Sequence, residues 1–358
     1  MASHGCLEVL TTREADRWDE ILEQSSAYAF YHRSAYHRLA EMLGEGTAVM
    51  LVFRQGDYVI AFPMLIRDVA MPGNGRVFKD ATSVRGFAGP IASQEHILEE
   101  INARLQEELL DYFRQTRIIS AYARLNPLTT PMSVVQGIGD TVPVGVTVSL
   151  DLTIPAEIQF SRYRSGHRNE INRLRKNGFT CEEAGPEHLG DFVRIYHETM
   201  RRVNADQAFF FGQDYFEFLF REMPDIMRLF LGKLDGIVVS VSMEAVSKGV
   251  IECYLGGTAT DYVHLSPDKL KYDTVREWGT KIGACSYHLG GGVGAQRDSL
   301  YDFKMGFGGQ EHDYCTWRYI VDQKAYDDVC RAVCADPGDT YFPAYRSPAL
   351  QPEVVSHG

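Results

Sequence analysis

The sequence predicts an α+β chain made of two tandem subdomains, each a mixed, largely antiparallel sheet flanked by helices. Three observations carry this. The chain has 358 residues, too many for one ordinary hydrophobic core. Helical and strand-like hydrophobic segments alternate along its whole length. The order helix, helix, antiparallel strands, helix, strand is read twice, once on each side of a connecting stretch at 126–145 that holds Pro127, Pro131 and Pro143. The expected boundaries are 1–145 for the first subdomain, joined by the C-terminal segment 322–358, and 146–321 for the second, fuller one.

Composition narrows the function classes. Apolar content is 45% and charged content 23%, the balance of a soluble globular protein. No run approaches the roughly 18 apolar residues of a membrane span. MASHGCLEVL lacks the basic-then-apolar pattern of a secretory signal, so the expected address is the cytoplasm. The formal net charge of −12 argues against a protein that meets polyanions with its whole surface; such a partner needs a local basic patch. The seven cysteines are scattered without a C-x-x-C pair, so neither a disulfide framework nor a metal site is expected.

The elements follow in order. Trp18, Ile21 and Leu22 mark a helix over 12–24, and Tyr36, Leu39 and Leu43 a second over 32–43. AVMLVFR (48–54) and YVIAFPMLI (58–66) form a hairpin around Gln55-Gly56-Asp57. The stretch 67–92 reads as a glycine-rich loop whose Arg85-Gly86-Phe87-Ala88-Gly89-Pro90 can face a ligand. Ser93 is placed as the cap of a long amphipathic helix with Ile97, Ile101, Leu105 and Phe113 on one face. RIISAYARL (117–125) is a strand. The second half opens with the strand VTVSLDL (146–152) and a helix over 155–176 stopped by Asn177-Gly178. A short strand at 179–184 and two helices follow. Residues 226–257 form a three-strand meander turning at Asp235-Gly236 and Lys248-Gly249. Pro267 starts a helix to 283. A buried strand, a glycine loop and a short helix opened by Asp298 and Ser299 and closed by Gly306 fill 284–308, then a strand at 313–321, a helix at 324–335, and a proline-bearing tail expected to lack regular structure.

Chemistry gathers in the second half. Six basic residues, Arg162, Arg164, Arg168, Arg173, Arg175 and Lys176, stand against one acid in 161–176, and helical spacing groups Arg164, Arg168 and Arg175. Arginine forks suit phosphate oxygens, so this is the candidate phosphate patch. Glu252-Cys253-Tyr254-Leu255-Gly256-Gly257 ends the meander where such sheets open toward ligand. Gly290-Gly291-Gly292-Val293-Gly294 matches no phosphate-loop or dinucleotide fingerprint and reads as a loop that brings backbone close to substrate. His264, His288 and His312 look isolated. In Phe303-Lys304-Met305-Gly306-Phe307-Gly308 a lysine sits between aromatic residues, where it must snorkel to water or hold an anionic partner.

Three pieces together resemble the Fem-type aminoacyl-tRNA-dependent transferases, which add amino acids to cell-wall precursor peptides. They are GHRNEINRLRKNGF (166–179), the strand and helix of 254–291, and DSLYDFKMGFG (298–308), similar to that family's closing F-K-x-x-F-G. The first half fits in architecture alone. The resemblance implies two N-acetyltransferase-like (GNAT) subdomains and transfer of an aminoacyl group from tRNA to an acceptor amine, with no cofactor beyond that co-substrate. It maps Lys304 onto the family's oxyanion-stabilising lysine, and an aminoacyl ester, already activated, mainly needs such a charge and correct positioning. Phe303 is the candidate stacking face for the terminal adenine; Tyr254, Arg164, Arg168, Arg175, Arg85 and Arg297 complete the candidate binding set. The expected acceptor is an amine-bearing peptide, sugar-peptide or nucleoside-type molecule of cell-wall or peptidyl antibiotic synthesis, and the expected assembly a monomer. No coiled-coil arm is present, and the family's early diphosphate-holding base is not placed; Arg33 and Arg38 only lie nearby.

The competing reading is an N-acyltransferase that uses acyl-CoA on a small amine. That chemistry calls for a glycine-bearing turn ahead of the helix after the meander. His264-Leu265-Ser266-Pro267-Asp268-Lys269-Leu270 has no glycine there, and Pro267 removes an amide donor. A non-catalytic binder that retains the fold is the third reading.

Overall fold

The computed structural model describes residues 6–71 and 75–350. The chain divides into two compact units, Met1–Pro143 with Cys315–Gly358, and Val144–Tyr314.

The first unit runs β1 (Cys6–Thr11), α1 (Ala15–Gln24), α2 (Ser34–Met42), β2 (Thr47–Gln55), β3 (Tyr58–Ala70), β4 (Val77–Thr82), β5 (Ile91–Ala92), α3 (Glu99–Gln115) and β6 (Ile118–Arg124). Its sheet order is β1-β2-β3-β4-β6, with β5 beside β3. The β2–β3 hairpin closes on Gly56, whose φ of 57° suits the tight turn. β4 and β6 pair in parallel, the remaining neighbours antiparallel. Leu105, Leu109 and Phe113 of α3 pack on Leu51, Phe53 and Phe62 of the sheet and on Trp317. Each such side chain contributes about 1.5–3 kcal/mol by leaving water.

The second unit runs β7 (Asp140–Asp151), α4 (Ala156–Ser161), α5 (Ser165–Lys176), β8 (Thr180–Ala184), α6 (Leu189–Arg202), α7 (Gln213–Glu222), β9 (Met227–Leu234), β10 (Ile237–Ser247), β11 (Val250–Thr258), α8 (Asp268–Lys281), β12 (Ser286–Gly290) and α9 (Ser299–Met305). Its strands lie in the order β7-β12-β11-β10-β9-β8. The meander turns at the expected places: Asp235 and Gly236 have φ of 50° and 79°, Lys248 and Gly249 of 45° and 77°. The chain then returns to the first unit through β13 (Gln310–Ile320) and ends with α10 (Gln323–Ala332) and short turns. Each sheet is mixed and flanked by helices.

Four local readings are corrected. The supposed loop 67–92 contains β4 and the end of β3, which pair from Leu65↔Thr82 to Ala70↔Val77. Ser93 caps no helix: its hydroxyl donates to Asp57 O and accepts from Val59 N, and α3 begins at Glu99. The helix expected over 155–176 breaks at Arg162–Arg164. There the Arg168 guanidinium takes the carbonyls of Ser161 and Tyr163 at 2.6 and 2.7 Å, and Arg164 N donates to Gly306 O. The tail is not merely a surface wrap, because Ala344 and Tyr345 are buried against Tyr326, Val329 and Ile119; residues 351–358 lie outside the described residues.

Candidate active site

β11 and β12 run parallel, but they pair over only three positions, Val250↔Ser286, Ile251↔Tyr287 and Glu252↔His288. Beyond them β11 stays with β10 and β12 with β7, so the sheet splits open from Cys253 onward. Each strand carries an irregularity at the split. On β11, Leu255 and Cys253 face Met243 and Glu244, leaving Tyr254 as the extra residue of a bulge; on β12 the register slips between His288 and Gly290. Bulges re-aim side chains and interrupt pairing.

Lys304 reaches this opening from α9. It is buried, 8% exposed, and its Nζ donates to Gly291 O at 2.6 Å. The Nζ also lies against Gly290, where an added Cβ would sit 3.6 Å away. The lysine does not snorkel, and no carboxylate pairs with it among the described residues. Burial pushes its pKa below the ordinary lysine value, while Cys253 and Asp298 act in the opposite direction. Lys271 shows the contrast: equally buried, it is bound to Asp268 at 2.8 Å, and its pKa is raised. A buried ammonium with a single carbonyl acceptor has capacity for an anion.

The sequence holds Lys304 there by packing two motifs together. His167 of α5 donates from Nε2 to Phe303 O at 2.9 Å, and its ring lies against Phe303 and Phe307. A Cβ on Gly306 would meet that ring at 2.3 Å, so only glycine allows the fit. Gly308, at φ +70°, passes Arg162 with no room for a side chain. At the start of α9, Asp298 accepts from Tyr301 N and Val293 N, both at 2.9 Å, tying the glycine loop to the helix. These amides hold its carboxyl below the usual carboxylate range.

The other expected residues scatter. Phe303 already has three ring neighbours, His167, Tyr272 and Phe307, and is half-buried rather than an open stacking face. Tyr254 sits on the bulge, half-buried, its hydroxyl against that of Tyr215. Arg164 stands at the N-cap position of α5 without a capping side-chain bond and donates from Nη1 to Asp302 O at 3.2 Å. Arg168 is the helix-break residue described above. Arg175 binds Asp273 at 2.7 Å, a fully buried carboxylate also held by Arg276 and Tyr163. Arg168 and Arg175 thus serve the interior, which the helical spacing did not reveal. Arg297 is locked to Glu311 by two contacts of 2.5 and 3.1 Å, and Arg85 belongs to the first unit. Arg162, Arg173 and Lys176 are exposed and have no side-chain hydrogen bond or ion pair among the described residues.

Several groups near the split escaped the sequence reading. His288 and Glu252, register partners at the last paired position, are buried with Nδ1 and Oε2 2.6 Å apart. His312 is likewise not isolated but 2.7 Å from the Ser149 hydroxyl. Glu244 is fully buried, accepts from the Tyr287 hydroxyl at 3.2 Å, and its Oε2 has no hydrogen-bond partner among the described residues. Burial pushes its pKa up to about 7. The strand alternation of β10 and β11 could have paired Glu244 with Cys253 only if the bulge were known. Among the described residues no three His, Cys, Asp or Glu side chains gather to hold a metal, and no helix is long and apolar enough to cross a membrane.

The N-terminus of α8 is already filled. Asp268 at its first position accepts from the Thr258 hydroxyl and from Lys271, Pro267 stands before it, and the turn ahead is a 3-10 helix over Thr260–Leu265. An incoming phosphate would meet a carboxylate in place of open amides.

A family model described as an acetyltransferase (GNAT) domain matches residues 161–305. No curated protein matches the sequence. Among solved structures, FemX is 14% identical with a TM-score of 0.70, covering 90% of this chain and 99% of its own. L-PGS from Bacillus licheniformis is 14% identical with a TM-score of 0.53, over 89% of this chain and 96% of its own. A tandem GNAT protein from the clavulanic acid biosynthesis pathway is 10% identical with a TM-score of 0.50, over 88% and 98%. Identities this low speak to the fold: the chain has a Fem-like fold that contains a GNAT acyltransferase domain.

Proposed function

We propose that this chain moves an aminoacyl group from aminoacyl-tRNA to an acceptor amine, forming an amide bond in the cytoplasm. The observation that carries the reading is Lys304, a buried ammonium with no carboxylate partner among the described residues, at the split between β11 and β12. The acceptor nitrogen attacks the ester carbonyl carbon, and the carbonyl oxygen becomes an oxyanion. Lys304 Nζ–H donates to that oxygen, in a site where the ammonium is little screened by water. The intermediate then collapses, the carbon–oxygen bond to the terminal ribose breaks, and the amine's proton leaves with the ribose oxygen. The exposed cations Arg162, Arg164, Arg173 and Lys176 supply backbone phosphate contacts. The acceptor class follows from the Fem-type resemblance: a peptide, sugar-peptide or nucleoside-type amine.

Acyl-CoA is the alternative donor, and the tandem GNAT neighbour keeps it in view. The occupied α8 N-terminus argues against it, because Asp268 stands where a pyrophosphate would seek amides. The test supplies the purified protein with either charged tRNA or acyl-CoA and a panel of amines, and follows label into amide. Transfer from charged tRNA alone is expected; transfer from acyl-CoA alone would sink the proposal.

A further inference from the structure

A second binding place lies wholly in the first unit. β3 extends past β2: their last pair is Thr47↔Ile66, while β3 continues to Ala70 beside β4. The notch beside this open edge is a cavity of about 540 Å³, closed by the α2–β2 loop, the end of α3 and Arg346. A neighbouring cavity of about 440 Å³ shares Arg67 and Arg346.

The two arginines are built in. Arg67 Nε and Arg346 Nε bind the two oxygens of Asp80 at 2.7 and 2.5 Å, and that carboxylate has no solvent exposure. Arg346 gives an Nη to the Asp68 carbonyl at 2.8 Å. The remaining Nη groups have no partner among the described residues. One carboxylate between two guanidiniums leaves a surplus positive charge on the cavity wall, and planar forks suit a carboxylate. Lys79 lines the same cavity, as do Glu45 and Asp68. None of these three side chains has a hydrogen bond or ion pair among the described residues. Three cations thus stand against three acids, counting Asp80, so the lining is neutral overall yet strongly polarised.

We infer that this notch binds a zwitterionic small molecule, a free amino acid or short peptide, with its carboxylate on Arg67 and Arg346 and its ammonium toward Glu45. A polyanion would be opposed by the two acids, and a cation by the arginine pair. This site is independent of the transfer reaction proposed above, and its test needs no turnover.

Isothermal titration of the full chain with the twenty free amino acids and L-alanyl-L-alanine, then with the N-acetyl and C-terminal amide forms of the best binder, tests the inference. Saturable binding is expected, weakened about tenfold or more by either modification, since each removes a charge-assisted contact. Glu45→Gln should weaken the free form and leave the N-acetyl form unchanged. That substitution removes no contact the fold uses. No saturable binding, acetylated and amidated forms that bind as tightly as the free form, or unchanged affinity in the Glu45→Gln variant would overturn the assignment.

Discussion

Replacing Lys304 by methionine separates its role in transfer from any role in holding the fold. Methionine keeps the aliphatic stem and nearly the volume, so the packing around α9 survives. The variant loses the hydrogen bond to Gly291 O, which costs about 1 kcal/mol for a neutral acceptor. It also removes an ammonium that burial already disfavours, a relief of similar or larger size. The unfolding midpoint should therefore stay within roughly 4 °C of the parent or rise. Catalysis should respond differently. Loss of an oxyanion donor raises the barrier by about 3 kcal/mol, a fall in kcat of ~10²–10³. Rapid-quench transfer assays beside calorimetry read both quantities. A variant within threefold of the parent rate, or one destabilised by more than about 3 kcal/mol, would show that Lys304 is not a dedicated oxyanion donor.

Three further outcomes follow from the same geometry. Gly306→Ala drives a methyl into the His167 ring at 2.3 Å; about 2 kcal/mol of destabilisation and a loss of kcat are expected in melting and rate assays, and a silent variant would remove His167 as the positioning residue of α9. Glu244, raised from 4.5 to about 7 by burial, favours the protonated folded state, so its stability contribution is complete below pH 4.5 and is lost as pH rises through 7. Glu244→Gln should flatten that window, by up to about 3 kcal/mol; an unchanged pH slope in denaturation between pH 5 and 8 would contradict it. Arg173→Glu should weaken use of charged tRNA and reduce the salt slope by about 1, with unchanged slope removing α5 from the tRNA path.

The part of the fold carried by local signals was legible. Asp235-Gly236 and Lys248-Gly249 announced their turns, and the cap Asp298 with the stop Gly306 announced α9. The unusual setting of Lys304 between Phe303 and Phe307 was legible, but the sequence offered snorkelling or an anionic partner, and the structure instead buries the lysine on the Gly291 carbonyl. The failures share one cause, contacts distant in sequence. The helix break at Arg162–Arg164 depends on Gly306 O, over 140 residues away in the chain. Arg175 looked like a free phosphate ligand because its partner Asp273 lies 98 residues on. Gly306 read as a helix stop, while its lack of a side chain actually makes room for His167. Glu252 and His288 became a pair only when β11 and β12 came together. Such facts belong to packing, and helical or strand periodicity does not encode them.

The most direct measurement is a single turnover with tRNA carrying a labelled aminoacyl ester, enzyme in excess, and an amine acceptor present. Label should pass into an amide at a rate that Lys304→Met lowers by ~10²–10³, leaving deacylated tRNA in equal amount. Label that stays on the tRNA while acyl-CoA acylates the same amine would contradict the proposed chemistry.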